Sequence, residues 1–533
     1  MLIESPDLEV ATKLVDLGQG IIENAVARLG ELGGVDAAQS FAYDLAHAAS
    51  AVEISRSMLS YGLNGEVEAR LTVAFLAEAL SALANMVLGR EPIWGLDTDW
   101  FAPFSQFVTR YRDPNFVAGL AETPGPRHLN EEFAMVADTF HRFATDQVRP
   151  HAEHVHRTNG DIPESIISGL AELGGFGLSV PEEFGGFATG GESDYLGMVI
   201  ATEELSWGGL GIGGSLITRP EILTRALLKG GTSEQKQHWL PRLATAEALA
   251  AVAVTEPDFG SDVAGITTTA TQCDGGWLIN GTKTWCTFAA RANVLMLLAR
   301  SDPNRTKTHR GLSLFLVEKP VGDGHGFLFT QESDMENAGR LEGRPIDTLG
   351  YRGMHSYELS FSNWFVPNDC LVGGEAGLGQ GFYFQMAGFE NGRIQTAARA
   401  IGVMQAAYEA ALEYARNRVV FGEPIINFEL TRVKLGTMAS IIQAARQFSL
   451  EVARMMATGD GSLEASMAKA YVCRAAEWVT REAMQIHGGM GYAEEYAVSR
   501  YFVDARVLSI FEGADETLCL KVIARRLLEQ RAT

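Results

Sequence analysis

Residues 246–287 read AEALAAVAVTEPDFGSDVAGITTTATQCDGGWLINGTKTWCT, and the change of pattern inside this stretch decides the architecture. Before it, apolar residues recur at helical spacing; within it, short apolar and Thr-rich runs alternate with turn residues, the signature of strands. AEALAAVAV is short and apolar, and ITTTATQ is rich in β-branched residues. WLINGTKTWCT divides into two strand-like halves around Asn280–Gly281, a strong short hairpin signal. NVLMLLAR, LSLFLVE, GFLFTQ and YELSFSNWFV continue in this style to about Pro367. A β domain over residues 246–370 is the expected result.

Outward from this domain the helical period returns on both sides. Leu14, Val15, Ile21, Ile22, Val26 and Leu29 open an N-terminal helical bundle over residues 1–90. Residues 91–127 carry Pro92, Pro103, Pro114, Pro124 and Pro126 and read as a linker wrapping over a surface. Helical patterning resumes over 128–245. It does so again over 371–533, in long stretches (381–416, 430–457, 463–486 and 516–528) suited to an antiparallel bundle. The expected fold class is α+β multidomain: a helical domain, a β-barrel or sandwich domain, a C-terminal four-helix bundle, and an extra N-terminal helical bundle.

Composition narrows the functional classes. The chain has 533 residues, 46% of them apolar and 20% charged, which suits several globular domains. Lys and Arg number 43 against 66 Asp and Glu, and the net charge of −23 opposes binding to nucleic acid or to an anionic membrane. Any phosphate-bearing ligand must therefore be held by local backbone N–H groups and a few placed cations. The five cysteines are odd in number and widely spaced, so neither a disulfide framework nor a metal knuckle is written here, and a reduced, cytoplasmic chain is expected. MLIESPDLEV has the features of neither an export signal nor a transit peptide. The most apolar stretch, 71–89, is interrupted by Glu78 and Asn85 and reads as a packed helix.

Three places could carry chemistry. Thr255-Glu256-Pro257-Asp258-Phe259-Gly260-Ser261-Asp262 turns through Pro and Gly, and is either a phosphate cradle of N–H groups and a hydroxyl or an ordinary inter-strand turn. Beyond it, Trp285 and Thr287 are two apart on a strand and share a face, as a plate beside a flat ligand or as core. In Ile510-Phe511-Glu512-Gly513, an acid among apolar residues is a candidate general base or simply an acid near a helix start. Gln485-Ile486-His487-Gly488-Gly489-Met490-Gly491-Tyr492 terminates a helix with glycines that admit close backbone approach. No HExxH motif is present, and no metal is expected.

Taken together, VTEPDFGSDVAGI, INGTKTWCT, RNRVVFGEPI, QIHGGMGYAEEYAVSRYFVDAR and IFEGADE, in this order and at these spacings, resemble the acyl-CoA dehydrogenase family over about residues 130–530. The resemblance implies FAD lying across the β domain and the last bundle. Val254, Thr255, Gly260 and Ser261 would contact it, with Trp285 and Thr287 at the flavin edge and Asp515 and Glu516 also among the cofactor residues. Arg418, Phe421, Gln485, Gly488 and Gly489 would hold the adenine end of FAD in a neighbouring subunit, so a homo-oligomer is implied, and an electron-transfer flavoprotein is the implied electron acceptor. Glu512 matches the family's usual base, removing the α-proton while the β-hydrogen leaves as hydride to the flavin. Ser261, Glu390, Arg393 and Gly513 would meet the acyl-CoA, with Arg393 close to Glu512. Some members carry the base immediately before that arginine, where this chain has Gly392, which cannot act as a base and so strengthens the assignment to Glu512 that the resemblance implies.

Several features depart from the family's pattern. Ala514 replaces a frequent Thr after the Glu-Gly pair, and Phe428 stands where a polar FAD contact is common. The N-terminal bundle and the segment 335–357 are unusual. Within the family the chain is most similar to enzymes acting on a branched diacid thioester, whose free carboxylate calls for a cation or several donors. Arg219, in the otherwise apolar run GGSLITRPEIL, is the candidate. The extension is expected to pack on the C-terminal bundle and to stop assembly at a dimer. The rivals are a neutral acyl-CoA as substrate, an oxidase using O₂, and a DNA-associated branch that the net charge disfavours.

Overall fold

Asp7 caps the first helix, Leu8–Glu31, its carboxylate accepting the Val10 N–H at 2.9 Å. Leu14, Val15, Ile21, Ile22, Ala25, Val26 and Leu29 then lie on a buried stripe at three- and four-residue spacing. The computed structural model describes residues 6–322, 325–331 and 338–532, and the chain forms two compact units. One comprises Met1–Ala137 with Thr396–Thr533, the other Asp138–Gln395. The N-terminal extension and the C-terminal bundle are thus parts of one unit, although the β domain separates them in sequence.

Within that first unit the helix Gln39–Gly62 lies against both Glu429–Ala457 and Ser462–His487, and Glu66–Val87 lies against Glu429–Ala457. The apolar stretch 71–89 falls largely in Glu66–Val87, which is long and apolar enough by composition to cross a membrane. Its Leu71, Val73, Phe75, Leu76 and Leu80 are buried in the bundle instead.

The linker expected over 91–127 is not one. It folds into the short helices Glu91–Trp94, Ala102–Tyr111 and Pro114–Ala118. Pro92, Pro103 and Pro114 occupy their first turns, where a missing N–H costs nothing and a fixed φ favours the helix. Trp94, Phe104, Phe107, Tyr111 and Phe116 are buried, so this segment supplies core. Its last helix packs so closely on Glu429–Ala457 that a Cβ at Gly436 would lie 2.0 Å from the Val117 carbonyl oxygen.

The second unit opens with helices, among them Glu192–Gly208, Thr218–Gly230 and Ser233–Ala244. Its sheet contains β1 (Ala250–Ala253), β2 (Thr269–Cys273), β3 (Gly276–Thr287), β4 (Val294–Arg300), β5 (Leu312–Glu318), β6 (Phe327–Thr330), β7 (Arg340–Ile346) and β8 (Ser356–Pro367). The hydrogen-bonded order is β1-β4-β2-β3-β8-β7-β6, with β5 also on β4. Leu295 and Leu297 of β4 enter one core with Phe315, Leu359 and Phe361. Val294, Met296 and Leu298 enter another with Ile222, Leu223, Leu227 and Trp239 of the helices. Both faces of β4 are therefore covered, which is why VLMLLA lacks polar alternation. Of the unusual segment 335–357, residues 335–337 lie outside the described residues, and the remainder contains β7 and the approach to β8.

The hairpin expected at Asn280–Gly281 is not formed: β3 runs straight through it. The two-residue turn is Asp274–Gly275, between the paired Cys273 and Gly276, with Gly275 at φ +75°. Asn280 serves an irregularity in β8, its Oδ1 accepting the Asn363 N–H at 2.8 Å. Gly281 passes so near Thr268 that a Cβ would lie 2.6 Å from its hydroxyl oxygen. The second reading that fails is strict alternation at Trp285 and Thr287. Three steps along β3, from Lys283 to Cys286, match two along β8, and this bulge re-aims the strand. Trp285 sits at φ +57° and is 55% exposed, whereas Thr287 is buried.

Candidate active site

The helix Ala497–Leu508 ends in a loop that carries Ser509 to Ala514. The loop is closed by the Asp515 N–H donating to the Ser509 carbonyl at 3.1 Å. Glu512 lies in the left-handed region at φ +53°, followed by Gly513 at φ +99°. Non-glycine residues take that conformation only where their surroundings impose it. Here they do. Glu512 Oε2 accepts from the Thr396 hydroxyl and from Arg399 Nη2, both at 2.8 Å, and Arg399 also donates to the Thr396 oxygen at 2.7 Å. Arg399 is 0% exposed and stacks over the Phe511 ring at 4.8 Å. Lys469, equally buried, donates to the Gly513 carbonyl at 2.5 Å. Apolar surroundings alone, as read from the sequence, miss this: the carboxylate is oriented by a charge-assisted bond. Asp515, expected among the cofactor contacts, has its carboxylate occupied otherwise, by Tyr43 and His47 of the N-terminal extension. Glu516 is exposed.

In the second unit the Thr255–Asp262 loop is rooted by a buried ion pair. Lys283 Nζ donates to Glu256 Oε1 and to the Val254 carbonyl, both at 2.9 Å. The Glu256 carboxylate also accepts from the Thr267 N–H and hydroxyl at 2.7 Å and the Thr268 N–H at 2.8 Å. Burial pushes this carboxyl up, but Lys283 and the threonine donors outweigh it and bring it down to about 2. The Thr284 N–H donates to the Thr255 carbonyl at 2.8 Å, which brings the loop beside the bulge at Trp285. Thr287 Oγ1 lies 3.0 Å from Ser356 Oγ. Gly260 and Ser261 are exposed at the loop tip. Backbone N–H groups, a tip hydroxyl and an outward-turned indole make a donor set that fits a flavin with its diphosphate.

Arg219 lies in the first turn of Thr218–Gly230 and is 7% exposed, so it is no surface arginine. It shares that turn with buried Glu221, whose Oε1 lies 3.4 Å from Asn391 Nδ2. Glu390 and Arg393 are half-buried on the long helix Gly381–Asn417.

The remaining candidates lie on the first unit. Arg418 and Phe421 follow the end of Gly381–Asn417, and Gln485, Gly488 and Gly489 end Ser462–His487. Stacking of Tyr414 on His487, ring centroids 4.2 Å apart, brings the two helix ends together. His487 is therefore a packing residue, with Nδ1 2.8 Å from the Ala483 carbonyl oxygen. Phe421, at φ +54°, is 95% exposed, and Val419, Leu430, Met490 and Tyr492 are exposed as well.

Sequence reasoning missed Thr396, Arg399, Lys469 and Lys283. Arg399 and Lys469 had a signal: each is a cation inside an Ala-rich apolar run, TAARAIG and SMAKAYV, where a solvated face would show several polar neighbours.

Residues 130–247, 251–364 and 379–528 match the N-terminal, middle and C-terminal domains of acyl-CoA dehydrogenase. The chain is 46% identical over 408 residues to (2S)-methylsuccinyl-CoA dehydrogenase of Cereibacter sphaeroides, covering 76% of this chain and 71% of that protein. Among solved structures it is similar to butyryl-CoA dehydrogenase of Megasphaera elsdenii, at TM-score 0.66 and 29% identity, covering 75% of this chain and 99% of that one. It is also similar to a glutaryl-CoA dehydrogenase of Mycobacterium smegmatis in complex with FADH2, at TM-score 0.66 and 25% identity, covering 77% and 97%. With the three domains matched in order, the chain belongs to the acyl-CoA dehydrogenase family, FAD-dependent oxidoreductases that act on the CH–CH group of acyl-CoA thioesters.

Proposed function

We propose that this enzyme oxidises (2S)-methylsuccinyl-CoA to mesaconyl-CoA, with Glu512 as the base that removes the α-proton. The observation that carries the role of Glu512 is its fixed carboxylate, set on a left-handed backbone and held by Thr396 and buried Arg399. FAD, when bound, supplies the acceptor for the hydride that leaves the β-carbon. Val254, Thr255, Gly260, Ser261, Trp285 and Thr287 are proposed to hold its flavin side, and Arg418, Phe421, Gln485, Gly488 and Gly489 the adenine side of a neighbouring subunit's cofactor. The Glu512 backbone N–H polarises the thioester carbonyl, which acidifies the α-carbon, and the side chain takes the proton.

The diacid substrate is supported by the 46% identical relative and by the presence of a buried arginine, Arg219, of the kind that pairs with carboxylates. Anaerobic titration of the yellow protein with a panel of CoA esters should bleach the flavin best with methylsuccinyl-CoA. Arg219→Met should lower kcat/KM for that substrate by roughly 10²-fold while changing a neutral branched acyl-CoA little. Equal loss on both substrates would reject the clamp. One observation favours the neutral substrate as a second reading: buried Glu221 shares the turn with Arg219 and already supplies a negative charge there from within the protein.

For assembly we propose a dimer, with an electron-transfer flavoprotein as acceptor. The N-terminal helices already cover Glu429–Ala457 and Ser462–His487, while Phe421 and, close to it in sequence, Val419 and Leu430 are exposed in the single chain. Light scattering should give twice the chain mass; a tetramer would reject the idea that the extension blocks further assembly.

A further inference from the structure

Residues 1–129 precede the first matched family domain, yet two of their side chains reach the loop that bears the proposed base. Tyr43 and His47 are four apart on Gln39–Gly62 and so share a face. The Tyr43 hydroxyl donates to Asp515 Oδ2 at 2.5 Å, and His47 Nε2 lies 3.1 Å from the same oxygen. Cys519 Sγ completes the cluster, 3.4 Å from His47 Nε2, and Arg474 lies over the Tyr43 ring at 5.9 Å. His47, Asp515 and Cys519 are all buried.

We propose that Tyr43 and His47 are positioning residues for the Glu512 loop, acting through Asp515, and that the extension is thereby a working part of the active site. This rests on the reading of Glu512 as base. Asp515 follows Glu512 by three residues, and its N–H closes the loop onto Ser509. Besides the Ser509 hydroxyl, which donates to Glu477 Oε1 at 2.5 Å, the loop is fixed at three places: at the Glu512 carboxylate by Arg399 and Thr396, at the Gly513 carbonyl by Lys469, and at Asp515 by the extension. A residue held in the left-handed region relaxes unless its surroundings over-determine it, and the third hold is the one that the matched family domains do not contain. The same atoms could be taken for a metal site, since the ligand atoms of His47, Asp515 and Cys519 lie within 4.8 Å of one another. Hydrogen bonding accounts for them: Tyr43 and His47 already engage the Asp515 carboxylate, and Cys519 Sγ lies within reach of His47 Nε2.

The test uses the full-length flavoenzyme carrying Tyr43→Phe, which removes only a hydroxyl, and separately His47→Gln. Hydrogen exchange of residues 509–515 should quicken about tenfold, a readout that needs no turnover. With methylsuccinyl-CoA, kcat should fall about tenfold with KM within about twofold, because a displaced base slows proton removal without loosening the thioester. Wild-type loop exchange and kcat in both variants would overturn the proposal, as would exchange that quickens throughout Gln39–Gly62 but not in the loop. Stoichiometric metal in the purified protein would overturn it too. Glu512→Gln separates the two readings: if that variant kept turnover, the base assignment would fail, while loop exchange in Tyr43→Phe would still decide the clamp.

Discussion

Replacing Glu512 with Gln is expected to cut turnover by roughly 10³- to 10⁴-fold, at the upper end of what a positioned general base contributes. In free energy this is about 4–5.5 kcal/mol on the barrier. The size follows from the geometry. Gln keeps the length of the side chain and an oxygen that can still accept from Thr396 and Arg399, so the loop keeps its shape, but the amide cannot take a proton from carbon. The loss should therefore appear in kcat, with thioester binding retained. It also leaves Arg399, wholly buried, without its carboxylate, so a melting curve is needed to show that the variant is folded at the assay temperature. Glu512→Asp draws the carboxylate back by one methylene and should fall between parent and Gln variant. Turnover of the Gln variant within tenfold of the parent would remove Glu512 from the reaction. No carboxylate stands at Gly392 to take over, and glycine there brings no side chain at all.

What could be read from the sequence was local. The order of helices, helices, strands and helices, the Thr255–Asp262 turn and the Glu512-Gly513 pair each announce themselves within a few residues. Arg399, Thr396 and Lys469 do not, because they reach Glu512 and Gly513 from 113, 116 and 44 residues away, and periodicity carries no partner information over such distances. Tyr43 and His47, 472 and 468 residues from Asp515, are the extreme case. Two errors share another cause: residue types with two uses. Asn-Gly builds either a turn or a bulge, and at 280–281 it accommodates a close strand approach, while Asp274–Gly275 makes the turn. Proline ends helices or begins them, and Pro92, Pro103 and Pro114 begin them, so that an apparent linker became core. Trp285 was placed by a two-residue period that the bulge after Lys283 breaks, and the break is what turns the indole outward.

The second large effect is expected at Lys283, which touches no substrate. Lys283→Met should destabilise the β unit by about 3–5 kcal/mol, the cost of leaving a buried charge without its partner. Glu256 is 3% exposed and Lys283 0%, so water cannot enter to replace the lost ammonium. The Val254 carbonyl loses its donor in the same step, and Val254 and Thr255 are the residues proposed to meet the flavin. Dilution should therefore release flavin from this variant faster than from the parent, followed by flavin fluorescence, and its melting temperature should drop. The double variant Lys283→Met with Glu256→Gln should recover part of the stability, since it removes the unpaired charge and the amide oxygen can still accept from the Thr267 N–H and hydroxyl; no recovery would show that packing of the lysine stem matters more than the pair. Acid titration gives an independent check on sign. The folded carboxyl of Glu256 lies at about 2, below the ordinary 4.5, so its stabilisation is complete above the unfolded value and is lost as pH falls from about 4.5 towards 2. At about 1.4 kcal/mol per unit this amounts to roughly 3 kcal/mol. The parent should melt progressively lower across that window, whereas Lys283→Met, lacking the cation that depresses the carboxyl, should show a shallower fall; parallel curves would mean that the ion pair does not govern the acid stability of this unit.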